Sequence, residues 1–355
     1  MNRTFFILLL LFLIFSCKGR NNNTTDNNAD DDVSISEQEM YPDLSTGWNR
    51  FDINLDYYNL DLKSYIEEHP NLSKVIICFK DYQSIDFSLL SNMKNLNNLT
   101  IDCYDDSLSQ IPDLSGLKNL RRLEISGSIK SFENIDEHLP DIEYFQFCPN
   151  SRNDDYWELE IKNFHEISKI TSLKKIFLQM GSEKQEINFL QLQGLTNLES
   201  FETFSGGVID FKGIENLKQL KQIKASYCTP RNTGYLGNLG LLQELELRIV
   251  NGNIKFLENI KTLETLRLYN YEYDSNAGPH DGLKKYQTKI DLYSMRNLKT
   301  LNFVSLSGFI IDNVYIIDEL SSLDDVYFCD CFVLPDDSTE KINTYIYRNF
   351  IPDGK

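Results

Sequence analysis

One pattern recurs through most of this chain: an apolar residue, two variable residues, a second apolar residue, one variable residue, and a third apolar residue. It reads Leu72/Val75/Ile77, Leu96/Leu99/Ile101, Leu120/Leu123/Ile125, Ile142/Phe145/Phe147, Leu173/Ile176/Leu178 and Leu198/Phe201/Thr203. It continues as Leu220/Ile223/Ala225, Leu242/Leu245/Leu247, Leu263/Leu266/Leu268, Leu298/Leu301/Phe303 and Leu323/Val326/Phe328. Successive units open 24, 24, 22, 31, 25, 22, 22, 21, 35 and 25 residues apart. A unit this short has too little chain to enclose its own apolar face, so units must bury one another by stacking, and the chain is predicted to be a solenoid.

The last two apolar positions of each unit are separated by one residue, which puts both on one face of a β-strand. Upstream, apolar residues recur every three positions, as in Ile111, Leu114, Leu117, Leu120 and in Phe211, Ile214, Leu217, Leu220. That interval matches 3₁₀ turns, where residues i and i+3 eclipse, better than a long α-helix. The predicted unit is a short strand, a loop and a compact return arc. Strands stacked ~4.8 Å apart make eleven rows a curved sheet about 50 Å long.

These residues resemble the leucine-rich-repeat family over roughly positions 72–334, and the spacing is most similar to its short, internalin-like bacterial class. The resemblance implies an α/β-type solenoid: a curved rod with parallel strands on the concave face, 3₁₀ or irregular arcs on the convex side, about eleven repeats, and a cap at each end. The family's ladder position, usually Asn or Cys, holds Asn150, Cys228 and Cys331 here, but Lys80, Tyr104, Ser128, Gly181, Gly206, Val250, Tyr271 and Leu306 elsewhere. Backbone hydrogen bonding at that turn is therefore expected to be less regular. Residues 44–71 read as the first cap, with Trp48, Phe51, Leu55, Leu62, Tyr65 and Ile66 as its apolar residues. Residues 335–355 read as a helical closing cap, with Asp336 to Thr339 ahead of Ile342, Tyr345, Ile346 and Phe350.

The N-terminus carries a different signal. Arg3 precedes a run of Leu, Ile and Phe to Phe15, too short to span a bilayer comfortably, where roughly 20 residues are needed. The run ends in Ser16-Cys17, the form of a secretory signal. Ile14-Phe15-Ser16-Cys17 resembles a bacterial lipobox, apart from the bulky Phe15, and the resemblance implies that residues 1–16 are removed and Cys17 is acylated, with palmitate among the chains. The alternatives are an ordinary signal peptide with an incidental cysteine, or a single-pass anchor. Residues 17–43 are rich in Asn, Asp, Thr and Ser, too polar to order themselves, and form a tether reaching ~25 Å.

Side chains before, between and after the two strand hydrophobics face the concave surface. They include Lys74, Arg122, Lys175, Lys224, Arg248 and Arg267, against Asp102, Glu124, Glu202, Glu244, Glu246 and Asp325. Among them stand Ile76, Tyr144, Phe177, Phe204, Tyr269 and Tyr327. Aromatic residues beside arginine are the types that dominate protein recognition; strands also favour aromatics for packing alone, so a plain solvated face is the competing reading. The two long intervals mark insertions, one after Phe147 with Tyr156 and Trp157, the other after Leu268 with Tyr271, Tyr273 and His280. Both follow a strand and belong on one rim, as contact loops or as covers over core.

Chemistry is not evident. His165-Glu166 is followed by Lys169 where a zinc helix needs a second His, and there is no phosphate loop or nucleophile elbow. The acids of the two insertions lack EF-hand spacing, so no metal and no cofactor is expected. Of the six cysteines beyond Cys17, only Cys78 and Cys103, on adjacent rows, are placed to pair. The net charge is −18, which argues against nucleic acid as a partner, since phosphate contacts need Lys and Arg.

The expected protein is an exported bacterial lipoprotein at the cell or outer membrane, with or without surface exposure, that is not an enzyme. It would bind a protein partner through the concave face and rim loops, touch the membrane only through its lipid, and take neither nucleic acid nor a small-molecule substrate. A scaffolding envelope protein without a specific ligand is the alternative.

Overall fold

The computed structural model describes residues 50–54, 62–79, 85–103, 110–127, 129–149, 160–179, 185–204, 207–270, 288–329 and 331–334. All of them lie in one compact unit, Asn49–Tyr271 with Tyr286–Lys355. The expected signal peptide, tether and closing cap, and nearly all of both insertions, lie outside the described residues.

Strands are numbered in chain order. The main sheet takes β1 (Arg50–Asn54), β2 (Lys74–Phe79), β3 (Asn98–Cys103), β4 (Arg122–Ser126), β5 (Tyr144–Cys148) and β6 (Lys175–Gln179). It continues with β8 (Ser200–Phe204), β10 (Gln222–Ser226), β12 (Glu244–Arg248), β13 (Thr265–Tyr269), β15 (Phe303–Ser307) and β17 (Asp325–Cys329). These twelve follow one another across the sheet in sequence order, and neighbours pair in parallel. Short flank strands make two further three-stranded sheets, β7 (Glu186–Asn188), β9 (Val208–Asp210) and β11 (Thr229–Arg231), and β14 (Lys289–Asp291), β16 (Ile310–Asp312) and β18 (Phe332–Val333).

One expectation is extended and one corrected here. The segment assigned to the first cap supplies β1, which pairs with β2 with Phe51 opposite Val75 and Ile53 opposite Ile77, so one strand precedes the eleven expected rows and the sheet holds twelve strands among the described residues. The unit written Leu298/Leu301/Phe303 is framed three residues early. Val304 pairs with Leu266 and Leu306 with Leu268, so the unit is Leu301/Val304/Leu306 and Phe303 lies on the opposite face. The cause is the 3₁₀ arc: Met295, Leu298 and Leu301 are three apart and all buried, so the template fits in two frames.

Alternation divides the middle strands cleanly. Leu123 and Ile125, Phe145 and Phe147, Ile223 and Ala225, Leu245 and Leu247, and Leu266 and Leu268 are 0 to 1% exposed, while the residues between them are half-buried on the other face. The return arcs close the core with i→i−3 bonds, Leu217 N to Ile214 O at 2.9 Å and Leu220 N to Leu217 O at 3.1 Å, as the three-residue interval predicts. Each fully buried Leu or Ile contributes roughly 1.5–3 kcal/mol, so the stack of such pairs and arcs supplies the main driving force.

The turn after the strand is more regular than its residues suggest. Backbone amides reach the next row's carbonyls: Gly127 N to Cys148 O at 3.0 Å, Ile249 N to Tyr269 O at 2.8 Å and Gly308 N to Cys329 O at 3.0 Å. A second ladder sits just before the row-opening apolar residue. There Ser172, Thr262, Thr300 and Ser322 donate hydroxyls to Ile142 O, Leu242 O, Leu263 O and Leu301 O at 2.7 to 2.9 Å. Asp86, Asp113, Asn188, Asp210 and Asp291 each accept the amide two residues on, at 2.9 to 3.0 Å, and so satisfy a donor at the start of an arc. Where Thr203 replaces an aliphatic core residue, its hydroxyl donates to Leu178 O at 2.8 Å, which makes a buried polar group tolerable.

The register also separates the one cysteine pair considered. Cys78 lies opposite Asp102 and Cys103 opposite Phe79, so their side chains leave the sheet on opposite faces, Cys103 into the core. Adjacent rows are therefore not sufficient for a bridge.

Candidate functional site

The concave face carries three columns of side chains, because parallel rows in register place equivalent residues side by side. The first runs through Arg122, Tyr144, Lys175, Ser200, Gln222, Glu244, Thr265, Phe303 and Asp325. The second passes through Glu124, Gln146, Phe177, Glu202, Lys224, Glu246, Arg267, Ser305 and Tyr327. The third includes Phe204, Ser226, Arg248 and Tyr269.

In the middle rows these side chains form one polar network. Ser200 donates to Gln222 Oε1 at 2.5 Å, and Gln222 Nε2 donates to Glu244. Glu244 also pairs with Arg267 at 2.8 Å and Lys224 at 3.4 Å, and Lys224 reaches Glu202 at 3.8 Å. Burial alone raises the Glu244 pKa, but the bond from Gln222 and the charges of Lys224 and Arg267 outweigh it and hold the carboxyl below its ordinary range. Six acids against six bases read as near-neutral from sequence, and the geometry shows Glu124, Glu202, Glu244 and Glu246 balanced or bonded locally.

Toward the first rows, Arg122 lies over the Tyr144 ring, 3.6 Å from its centroid, and donates to Glu124 at 2.6 Å. The Tyr144 hydroxyl donates to Gln146 at 2.6 Å, and burial pushes its pKa up to about 12. Toward the last rows, Arg267 lies 4.7 Å from the centroid of Phe303, whose ring packs on Tyr327 at 5.3 Å. Phe303 was read as core from sequence; its concave placement adds an aromatic to the face. Lys175 is exposed and Phe177 half-buried. All ten residues proposed for this face thus lie on it. Cys17, Tyr156, Trp157, Tyr271, Tyr273 and His280 lie outside the described residues. The insertions leave from the same ends of β5 and β13, the C-terminal ends, just past Cys148 and Tyr269.

One exposed aromatic beside these columns is absent from the residues expected from sequence. Tyr227, the residue after β10, is 37% exposed, with Phe204 at 4.8 Å and Tyr269 at 6.2 Å between ring centroids. Tyr269 is held up by burial, which raises its pKa, and its hydroxyl accepts from Tyr227 N at 2.8 Å while donating to Ala225 O at 3.2 Å. A separate open groove of about 630 Å³ lies on the flank beside Glu160, Lys162, His165, Gln185 and Glu186, away from these columns. No group of three His, Cys, Asp or Glu side chains suited to a metal occurs among the described residues.

No family model and no curated protein matches the chain. Solved structures do. An internalin from Listeria monocytogenes is similar with a TM-score of 0.50 and 18% identity, over 75% of this chain and 76% of that one. The leucine-rich-repeat ectodomain of the plant membrane receptor kinase GASSHO1/SCHENGEN3 from Arabidopsis thaliana, in complex with Casparian strip integrity factor 2, gives 0.46 and 19%, over 72% of this chain and 29% of that one. A second Listeria monocytogenes internalin, C2, gives 0.30 and 19%, over 67% and 73%. The parallel sheet, the repeat and the first of these likenesses define the chain as a leucine-rich-repeat solenoid with an internalin-like fold. No helix among the described residues is long and apolar enough to cross a membrane.

Proposed function

We propose that this chain is an exported bacterial envelope lipoprotein, anchored through acylated Cys17, that binds another protein with its concave face and rim loops and catalyses no reaction. The observation that carries the binding reading is the row of partly exposed aromatics on that face, Tyr144, Phe177, Phe204, Phe303 and Tyr327, among arginines that already stack on two of them. Such rings offer large contact area with little entropy left to lose, the property of interface anchors. The anchoring reading is supported by Ser16-Cys17 at the end of a short apolar run and by the polar tether after it.

Two experiments test it. A photo-crosslinking residue at Phe177 or Tyr327 should give a discrete adduct with a protein in envelope or environmental extracts, and one at the exposed arc position Tyr293 should not. Equal labelling from all three positions, or none, removes the concave face as a binding surface. In a bacterial host, Cys17→Ser should abolish acyl labelling and release the protein from the membrane fraction. Unchanged fractionation without any acyl label in the parent refutes the anchor and leaves the binding reading to the first experiment.

A further inference from the structure

Five described residues other than glycine adopt left-handed backbone: Asn134, Asn163, Asn232, Asn313 and Tyr227, the last at φ 65. Asparagine accepts that conformation readily, whereas a tyrosine does so at a cost. Two other rows place a glycine at the same point. After β4 the chain reads Ser126-Gly127 and after β15 Ser307-Gly308, with Gly308 at φ 80; after β10 it reads Ser226-Tyr227. Tyr227 thus holds a left-handed conformation that a glycine takes in the row of β15, and its surroundings keep it there: its amide donates to the Tyr269 hydroxyl, and its ring sits against Phe204 and Tyr269 while keeping more than a third of its surface open. Strain kept at an exposed aromatic points to a use for the ring.

The adjoining charge says what the ring meets. Ser226 donates to Glu246 at 2.7 Å, and Glu246 lies near enough to Tyr227 and Tyr269 for its charge to act on both phenols. Glu124, Glu202 and Glu244 are each ion-paired on the concave face, but Glu246 enters no ion pair among the described residues. Its column neighbours Lys224 and Arg267 pair with Glu202 and Glu244 instead, and a carboxylate so left beside the Tyr227 and Tyr269 rings is the arrangement that attracts a basic side chain. Resting on the protein-binding reading above, we propose that Tyr227, with Phe204, Tyr269 and Glu246, is the anchor subsite of the concave surface and receives a Lys or Arg side chain of the partner.

The test uses the full chain and random linear peptides displayed on phage, followed by affinity measurement on the selected peptides. The selected peptides should share a Lys or Arg whose replacement by Gln weakens binding about tenfold, the scale of one cation–π contact with a charge beside it. Tyr227→Gly and Glu246→Gln should lose the same factor. Tyr227→Gly and Tyr227→Asn should also melt at the wild-type temperature or above, since both new residues suit the backbone better. Peptides without basic preference overturn the proposal. So does a Tyr227→Gly variant that binds them normally, or one that melts lower while binding them normally, because the ring is then only structural. If binding ignores Tyr227 but is lost in Phe177→Ala, this subsite falls and the concave reading stands. If no concave substitution matters, both fall.

Discussion

In the second row of the sheet Val75 and Ile77 are wholly buried, whereas in the last row the residues at the same register positions, Val326 and Phe328, are only partly buried, as is Leu323. The residue types are equivalent; the neighbours are not. At the first end β1 lies alongside β2, and the helix Leu62–Glu68 sets Leu62 and Ile66 into the core. Even concave positions are covered there, with Ile76, Thr100 and Asp102 at 4 to 6% exposure. At the other end β17 pairs, among the described residues, with β15 alone, and Asp325, Tyr327 and Cys329 are exposed. Burial in a stack is thus a property of a row's two neighbours and not of its own sequence.

The largest effect should come from removing what the sequence pattern assigns to the open end. Deleting residues 336–355 should turn a monodisperse protein into associated species, read by size-exclusion chromatography with light scattering, because the partly buried Leu323, Val326 and Phe328 would then lose their expected cover. A soluble monomer of unchanged melting temperature would show that this end needs no cap. Smaller and more quantitative is the same substitution at three rows. Val75→Ala and Val304→Ala, both at 0% exposure, should each cost about 2 kcal/mol in urea unfolding, and Val326→Ala about 1 kcal/mol. Equal losses would break the comparison, since they would mean that the last row is as tightly enclosed as the others. Thr203→Val tests a middle row, where a polar residue at a core-facing strand position donates to Leu178 O. Losing that bond leaves a carbonyl without its partner and should cost about 1 kcal/mol despite the added methyl.

The twofold strand period and the threefold arc period were readable because both are periods of burial, and burial is what the composition records. The misframed unit shows the limit. Leu298, Leu301 and Phe303 satisfy the template by chance of an arc leading into a strand, and Asn297-Leu298 repeats Asn119-Leu120 and Asn197-Leu198, so the strand register and not the residue before the opening leucine separates the frames. The twelfth strand was legible too, since Trp48/Phe51/Ile53 repeats the template 24 residues before Leu72, but with an aromatic opening that reads as a cap. The ten concave residues followed directly from alternation. Tyr227 did not, because a positive φ leaves no trace in polarity and the residue after the strand varies from row to row.

The smallest effect concerns how the middle rows hold the weaker end. Ser200, Gln222, Glu244 and Arg267 link β8 to β13 across the concave face, and Arg267 continues through Phe303 to Tyr327 in the last row. Glu244→Gln should therefore lower stability at pH 7 by roughly 0.5 kcal/mol, the scale of a partly exposed ion pair. Because the folded protein holds this carboxyl below its ordinary value of 4.5, the charged form stabilises the fold. That contribution is fully present above pH 4.5 and is lost as pH falls through the lower folded-state value, so the parent and Glu244→Gln curves should converge in acid. In a nearest-neighbour stack the loss should not spread evenly: amide exchange should quicken in β13, β15 and β17 and stay unchanged in β2 to β4. Faster exchange at the first end as well would mean that the rows melt as one unit, and that the difference between the ends is one of exposure without any difference in local stability.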